Sequence, residues 1–125
     1  MPASLLNLAL LALLAGCATR LPGTSFADPG ELERAMKRYY ENHATEEHGY
    51  CLHPYIDGLT QTEVVTNQPD RLVVDVRYLY QDRFKNDRGE NGGHECTGYA
   101  GRRFTFGKGP AGGVEVLDMT GPRRS

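Results

Sequence analysis

The chain is poor in serine, carries no large excess of either charge, and has no apolar run long enough to cross a bilayer. Its serines are Ser4, Ser25 and Ser125. The two that follow the apolar start of the chain lie in a spacer-like stretch and at the last position, so a serine nucleophile held against a base is all but excluded. The 14 basic and 16 acidic side chains nearly cancel, leaving a net charge of −2. From Asp28 to Glu63 there are eight acidic and three basic residues, and from Arg71 to Arg124 seven and ten. That asymmetry is too small for a nucleic-acid binder and reads as two solvated faces. The apolar stretch Leu5 to Leu14 is interrupted only by Asn7. It suits the apolar region of a signal peptide and falls short of the roughly 20 residues of a membrane-spanning helix.

Two small residues, Ala15 and Gly16, follow that stretch and precede Cys17. The run Leu14-Ala15-Gly16-Cys17 resembles the lipobox of bacterial lipoproteins. The resemblance implies cleavage between Gly16 and Cys17, a signal peptide over 1–16, and acylation of Cys17. Residues Met1 to Ser4 depart from the pattern in having no Lys or Arg. Two or three acyl chains hold a protein firmly where one is marginal, since each buried CH₂ contributes about 0.8 kcal/mol. In lipoproteins of Gram-negative bacteria the residue after the cysteine influences sorting. Here it is Ala18 and not Asp, which implies the periplasmic face of the outer membrane. Residues 17–27 then form an anchor and tether. Ten extended residues reach about 35 Å, and a flexible coil averages nearer to about 20 Å.

Cleavage would leave 109 residues, enough for one domain with a modest core. Asp28-Pro29-Gly30-Glu31 is a helix start: Asp28 caps exposed amides, Pro29 fits the first helical position, and Glu31 has capping-box spacing. Leu32, Ala35, Met36, Tyr39, Tyr40 and His43 follow at steps of three and four, placing one apolar face on a helix that runs to about Thr45. Strands are expected at Thr60 to Thr66, Arg71 to Gln81, Glu95 to Phe106 and Val114 to Met119, with a shorter one possible near Tyr50 to Tyr55. In the second, Leu72, Val74, Val76, Tyr78 and Tyr80 alternate with polar residues. Asn67 to Asp70 has turn chemistry, and Asp82 to Gly93 suits a long hairpin loop. The expected fold is α+β: one N-terminal amphipathic helix packed on a four-stranded antiparallel meander. It occupies residues 28–120, with a tail over 121–125.

This element order resembles that of cystatin-like folds, over about residues 28 to 120. The protease-blocking Q-x-V-x-G motif is missing, the nearest stretch being Gln61-Thr62-Glu63-Val64-Val65, so the resemblance does not imply protease inhibition. Arg34 to Asp57 also resembles small proteobacterial lipoproteins of unknown function. Neither likeness supplies a mechanism.

With Cys17 assigned to lipid, Cys51 and Cys96 remain. Two thiols in an oxidising compartment predict a disulfide closing a loop of about 45 residues, for which the chain-entropy model gives roughly 4 kcal/mol as an upper figure. A sharper alternative uses the mirrored Cys51-Leu52-His53 and His94-Glu95-Cys96. If the two segments pair antiparallel, His53 and His94 join both thiols as zinc or copper ligands, with His48 as a substitute. A histidine pair beside an intact disulfide is a third possibility.

Gly107 to Gly112 fits G-x-G-x-x-G, but no helix can follow it, so it is a turn and not a dinucleotide site. Asn86, Asp87, Glu90 and Asn91 lack the order of a calcium loop. Glu46, Glu47, His48 and Asp57 could cluster near the helix end, yet nothing marks one as buried or perturbed, as acid–base chemistry would need. No enzyme activity and no cofactor are therefore expected. The leading expectation is a non-catalytic envelope module that binds a protein partner or helps organise the envelope, its candidate surfaces being a sheet face or edge bearing Arg77, Tyr99 and Arg103, and the 82–93 loop. The alternatives are a metal-binding lipoprotein centred on His53 and His94, and a small-ligand binder lined by Tyr39, Tyr40, Tyr78 and Tyr80.

Overall fold

The computed structural model describes residues 19–82 and 95–124. The lipobox with Gly16 and Cys17, His94, residues 83–93 and Ser125 lie outside the described residues. Among the described residues one α-helix and a short 3-10 turn at Glu47–Gly49 are followed by four strands in the order β1-β2-β3-β4, an antiparallel meander, so the fold is α+β.

Helix α1 spans Pro29–His43 and starts as its sequence dictates. Asp28 Oδ1 accepts from the Glu31 amide at 2.8 Å, which holds the Asp28 carboxyl below the usual carboxylate range. Leu32, Met36 and Tyr40 form the buried stripe. The helix stops two residues before the expected Thr45 because Ala44 turns extended and bridges Arg123. His43 is exposed and not part of the stripe; its ring lies against Tyr39, 4.3 Å between centroids.

β1 (Pro54–Gln68) turns at Pro69-Asp70 into β2 (Arg71–Asp82). β3 (Thr97–Lys108) and β4 (Val114–Met119) complete the sheet. Leu72, Val74, Val76, Tyr78 and Tyr80 are all buried, so the alternation in β2 had the expected phase. They meet Phe104 and Phe106 of β3, Val116 and Met119 of β4, and the stripe of α1 in one core.

β1 was expected only over Thr60 to Thr66 and proves far longer. Its pairing with β2 shifts register at three places, between Ile56 and Gly58, Leu59 and Gln61, and Val64 and Thr66. Each shift inserts one unpaired residue, Asp57, Thr60 and Val65, which is how 15 residues run beside the 12 of β2. Bulges bend an edge strand away from indiscriminate pairing.

Residues 17–27 were expected to act as a tether, and the part that is described packs on the domain. Leu21 and Ala27 belong to the core. Thr62 Oγ1 donates to the Arg20 carbonyl at 2.9 Å, and Ser25 Oγ to the Pro69 carbonyl at 2.9 Å. Apolar burial of Leu21, worth about 1.5–3 kcal/mol, offsets part of the freedom a spacer would keep. No helix among the described residues is long and apolar enough to cross a membrane.

Candidate functional site

Two constellations stand out, one on each side of the sheet. Under the helix, Glu46 is only 6% exposed although charged. Its Oε2 accepts from the hydroxyls of Tyr40 at 2.6 Å and Tyr78 at 2.5 Å, and the Arg102 guanidinium lies 3.5 Å away. Arg102 is itself buried because it occupies an inward position of β3, opposite Val76. It donates through Nε to Tyr78 at 2.8 Å and through its terminal nitrogens to the carbonyls of Thr120 and Thr45 at 2.9 and 2.7 Å. The Tyr40 ring lies 5.4 Å from the guanidinium carbon. Burial raises the Tyr40 and Tyr78 hydroxyls well above the ordinary tyrosine range, and the neighbouring carboxylate adds to the effect.

The chain reaches this network through a left-handed turn. Glu47, His48 and Gly49 have φ of 51°, 57° and 91°, and reciprocal amide bonds between Glu46 and Cys51, 3.0 and 3.1 Å, close the turn. Positive φ is costly for Glu47 and His48. Tyr80 holds Glu47 in place, its hydroxyl donating at 2.9 Å to Oε2. Burial, then the Glu47 carboxylate, pushes that hydroxyl upward as well. Cys51 closes the turn and is bonded to Cys96, with 5.8 Å between Cα atoms.

The outer face is open. In register, Gln61 and Glu63 of β1 stand beside Arg77 and Asp75 of β2, which stand beside Gly101 and Arg103 of β3. A hollow of about 530 Å³ forms over Gly101, rimmed by Gln61, Glu63, Asp75, Arg77, Arg103 and Thr120. Arg103 grips Asp75 with two bonds of 2.8 and 3.1 Å, which lowers the Asp75 carboxyl and raises the guanidinium. Both side chains are nearly half exposed, so solvent screens the pair and it adds little to stability. Arg77 has no ion pair among the described residues. Tyr99, next along β3, is 75% exposed. The arrangement offers a free cation, an exposed aromatic ring and a polar floor.

Comparisons with protein-family models, with curated proteins and with solved structures find no match.

Of the residues singled out by sequence, Arg77, Tyr99 and Arg103 share this outer face, and Cys51 and Cys96 are joined. The antiparallel pairing that the metal alternative supposed is not seen among the described residues, and His94 lies outside them. Cys51 bridges Glu46, while Cys96 accepts from the Asp82 amide at 3.0 Å, because the disulfide joins a turn to a strand end. His53 is partly buried and has a partner. Glu47 Oε2 and both sulfurs lie close enough to share an ion. The disulfide, however, leaves neither sulfur as a thiolate, and the Cys51 sulfur 3.2 Å from Glu47 has no proton to donate.

The ring set Tyr39, Tyr40, Tyr78 and Tyr80 does not share one open face. Tyr40, Tyr78 and Tyr80 are buried in the core, and Tyr39 accepts from Arg123 at 3.0 Å. Asp57 is likewise separate from Glu46, since it is exposed and accepts from Gln81 at 3.0 Å. The Glu46–Arg102 pair was missed among charges read as solvated. The usable signal was an arginine in phase with Phe104 and Phe106 on a strand whose inward positions are otherwise apolar.

Proposed function

We propose that this chain is a lipid-anchored, non-catalytic module of the bacterial envelope that binds a protein partner through the outer face of its sheet. The anchor is Cys17, on the strength of the Leu14-Ala15-Gly16-Cys17 pattern, with the periplasmic face of the outer membrane as its address. The partner surface is the hollow over Gly101 with Arg77, Arg103 and Tyr99. The observation that carries the reading is the conjunction, on one open face, of an exposed Tyr99 and an exposed Arg77 with no ion pair among the described residues. Tyrosine and arginine are the residue types that dominate protein interfaces, and neither is needed by the core.

The test is photo-crosslinking in cells with a crosslinking amino acid at Tyr99, and with one at Glu33 on the helix as reference. The expected result is a discrete adduct to one envelope protein from Tyr99 only, lost when Arg77→Glu is added. Equal labelling from both positions, or none from either, overturns the reading. Cys17→Ser should abolish processing and membrane retention. Unchanged retention removes the anchor.

A further inference from the structure

The path of the chain before α1 limits how far the domain can stand from Cys17. Arg20 is tied to β1 at Thr62, Leu21 is 3% exposed in the core, and Asn67 Nδ2 donates to the Gly23 carbonyl at 3.5 Å. The segment thus runs beside β1 from Thr62 towards Pro69, and it is closed by a turn in which the Ala27 amide donates to Thr24 Oγ1 at 2.9 Å. Only Ala18 and Thr19 separate Arg20 from Cys17. Covalent geometry limits those three steps to roughly 11 Å. The headgroup layer of one leaflet is itself about 6 Å thick.

Thr62, Val64 and Asn67 pair with Val76, Val74 and Leu72, all inward residues of β2. This rim therefore lies on the helix side of the sheet, opposite the row of Arg77 and Arg103. Val64 is 47% exposed there, the bulge residue Val65 next to it in the chain is 45% exposed, and Arg20, tied to Thr62 through its carbonyl, is an exposed cation. Small apolar side chains next to a cation suit the boundary between acyl chains and phosphates.

We propose that the rim of β1 around Thr62, Val64 and Val65 rests on the phospholipid headgroups of the leaflet that holds the Cys17 acyl chains. This rests on the lipid-anchor reading above. The consequence is a fixed orientation, in which the outer sheet face is turned away from the membrane that the rim touches.

The full chain, processed by its host and carrying a nitroxide at Val65→Cys or at Tyr99→Cys, is reconstituted into vesicles of phosphatidylethanolamine and phosphatidylglycerol. Cys17 is acylated and Cys51 and Cys96 are joined, so the introduced cysteine is the sole free thiol. Intact mass reports acylation, and power saturation reports access of oxygen and of a water-soluble nickel chelate. The expected result is an acylated protein in which Val65→Cys gains oxygen access and loses chelate access, while Tyr99→Cys keeps chelate access. An acylated protein with equal chelate access at both positions overturns the docking alone. A mass without acyl chains overturns the anchor and the docking together.

Discussion

The buried carboxylate of Glu46 organises the inner side of this molecule at the scale of single residues. A charge removed from water is tolerated only when paired and hydrogen-bonded, and Glu46 receives two hydroxyls and a guanidinium. No buried side-chain nitrogen or oxygen among the described residues lacks a partner. The tyrosines report on this arrangement through pH. Burial raises the hydroxyls of Tyr40, Tyr78 and Tyr80 above the ordinary tyrosine value of 10.0. Above pH 10 the unfolded chain loses those protons while the folded chain keeps them, so stability is full below that pH and falls as pH rises. Absorbance titration near 295 nm should therefore show Tyr40, Tyr78 and Tyr80, of the seven tyrosines, ionising only as the protein unfolds. Tyr78→Phe should reduce that delayed step. A single smooth transition in which all the tyrosines titrate in the folded state would refute the enclosed network.

At the scale of elements, legibility followed periodicity. α1, β2 and β4 keep their period without interruption, and their ends were found to within two residues. β1 does not, because three bulges reset its alternation, and only the β-branched stretch from Thr60 to Thr66 reads as a strand. The outer-face residues were legible as the polar phase of β2 and β3. Their hollow was not, since it depends on Gly101 coming opposite Arg77. A different glycine serves the inner side. A Cβ on Gly98 would lie 2.7 Å from the Tyr80 hydroxyl and 3.0 Å from its ring. That ring cannot step aside without losing its bond to Glu47 and so the support of the left-handed turn. Gly98→Ala should thus cost about 1–3 kcal/mol, as overpacking does, read as a lower denaturation midpoint at unchanged slope. Gly101→Ala would meet Arg77 Cγ at an ordinary 3.6 Å and should leave stability nearly unaltered. Equal losses for the two would refute the steric account.

Across the whole molecule, the segment from Ala44 to Leu52 is where distant parts of the chain converge. The expected tail is part of that convergence. Thr45 donates to the Pro122 carbonyl at 3.2 Å, and the Arg124 amide to the His43 carbonyl at 2.8 Å. The Arg124 guanidinium donates to the carbonyls of Glu41 at 2.9 Å, Ala44 at 3.2 Å and Leu52. These are carbonyls at a helix end and just beyond it, which cations satisfy well. The disulfide holds the same segment from the other side, through Cys51. Two restraints on one segment are not independent. Once the disulfide is gone, part of the order that Arg124 exploits is lost with it. Arg124→Ala should cost about 1.5–3 kcal/mol in the oxidised protein, as expected for a hydrogen-bonded charge, and less in the Cys51→Ser, Cys96→Ser background. A double-mutant cycle by urea unfolding should give a coupling of about 0.5 kcal/mol or more. Strict additivity would mean that tail and disulfide each secure a different part of the fold, and that the turn carrying Glu46 is stable without them.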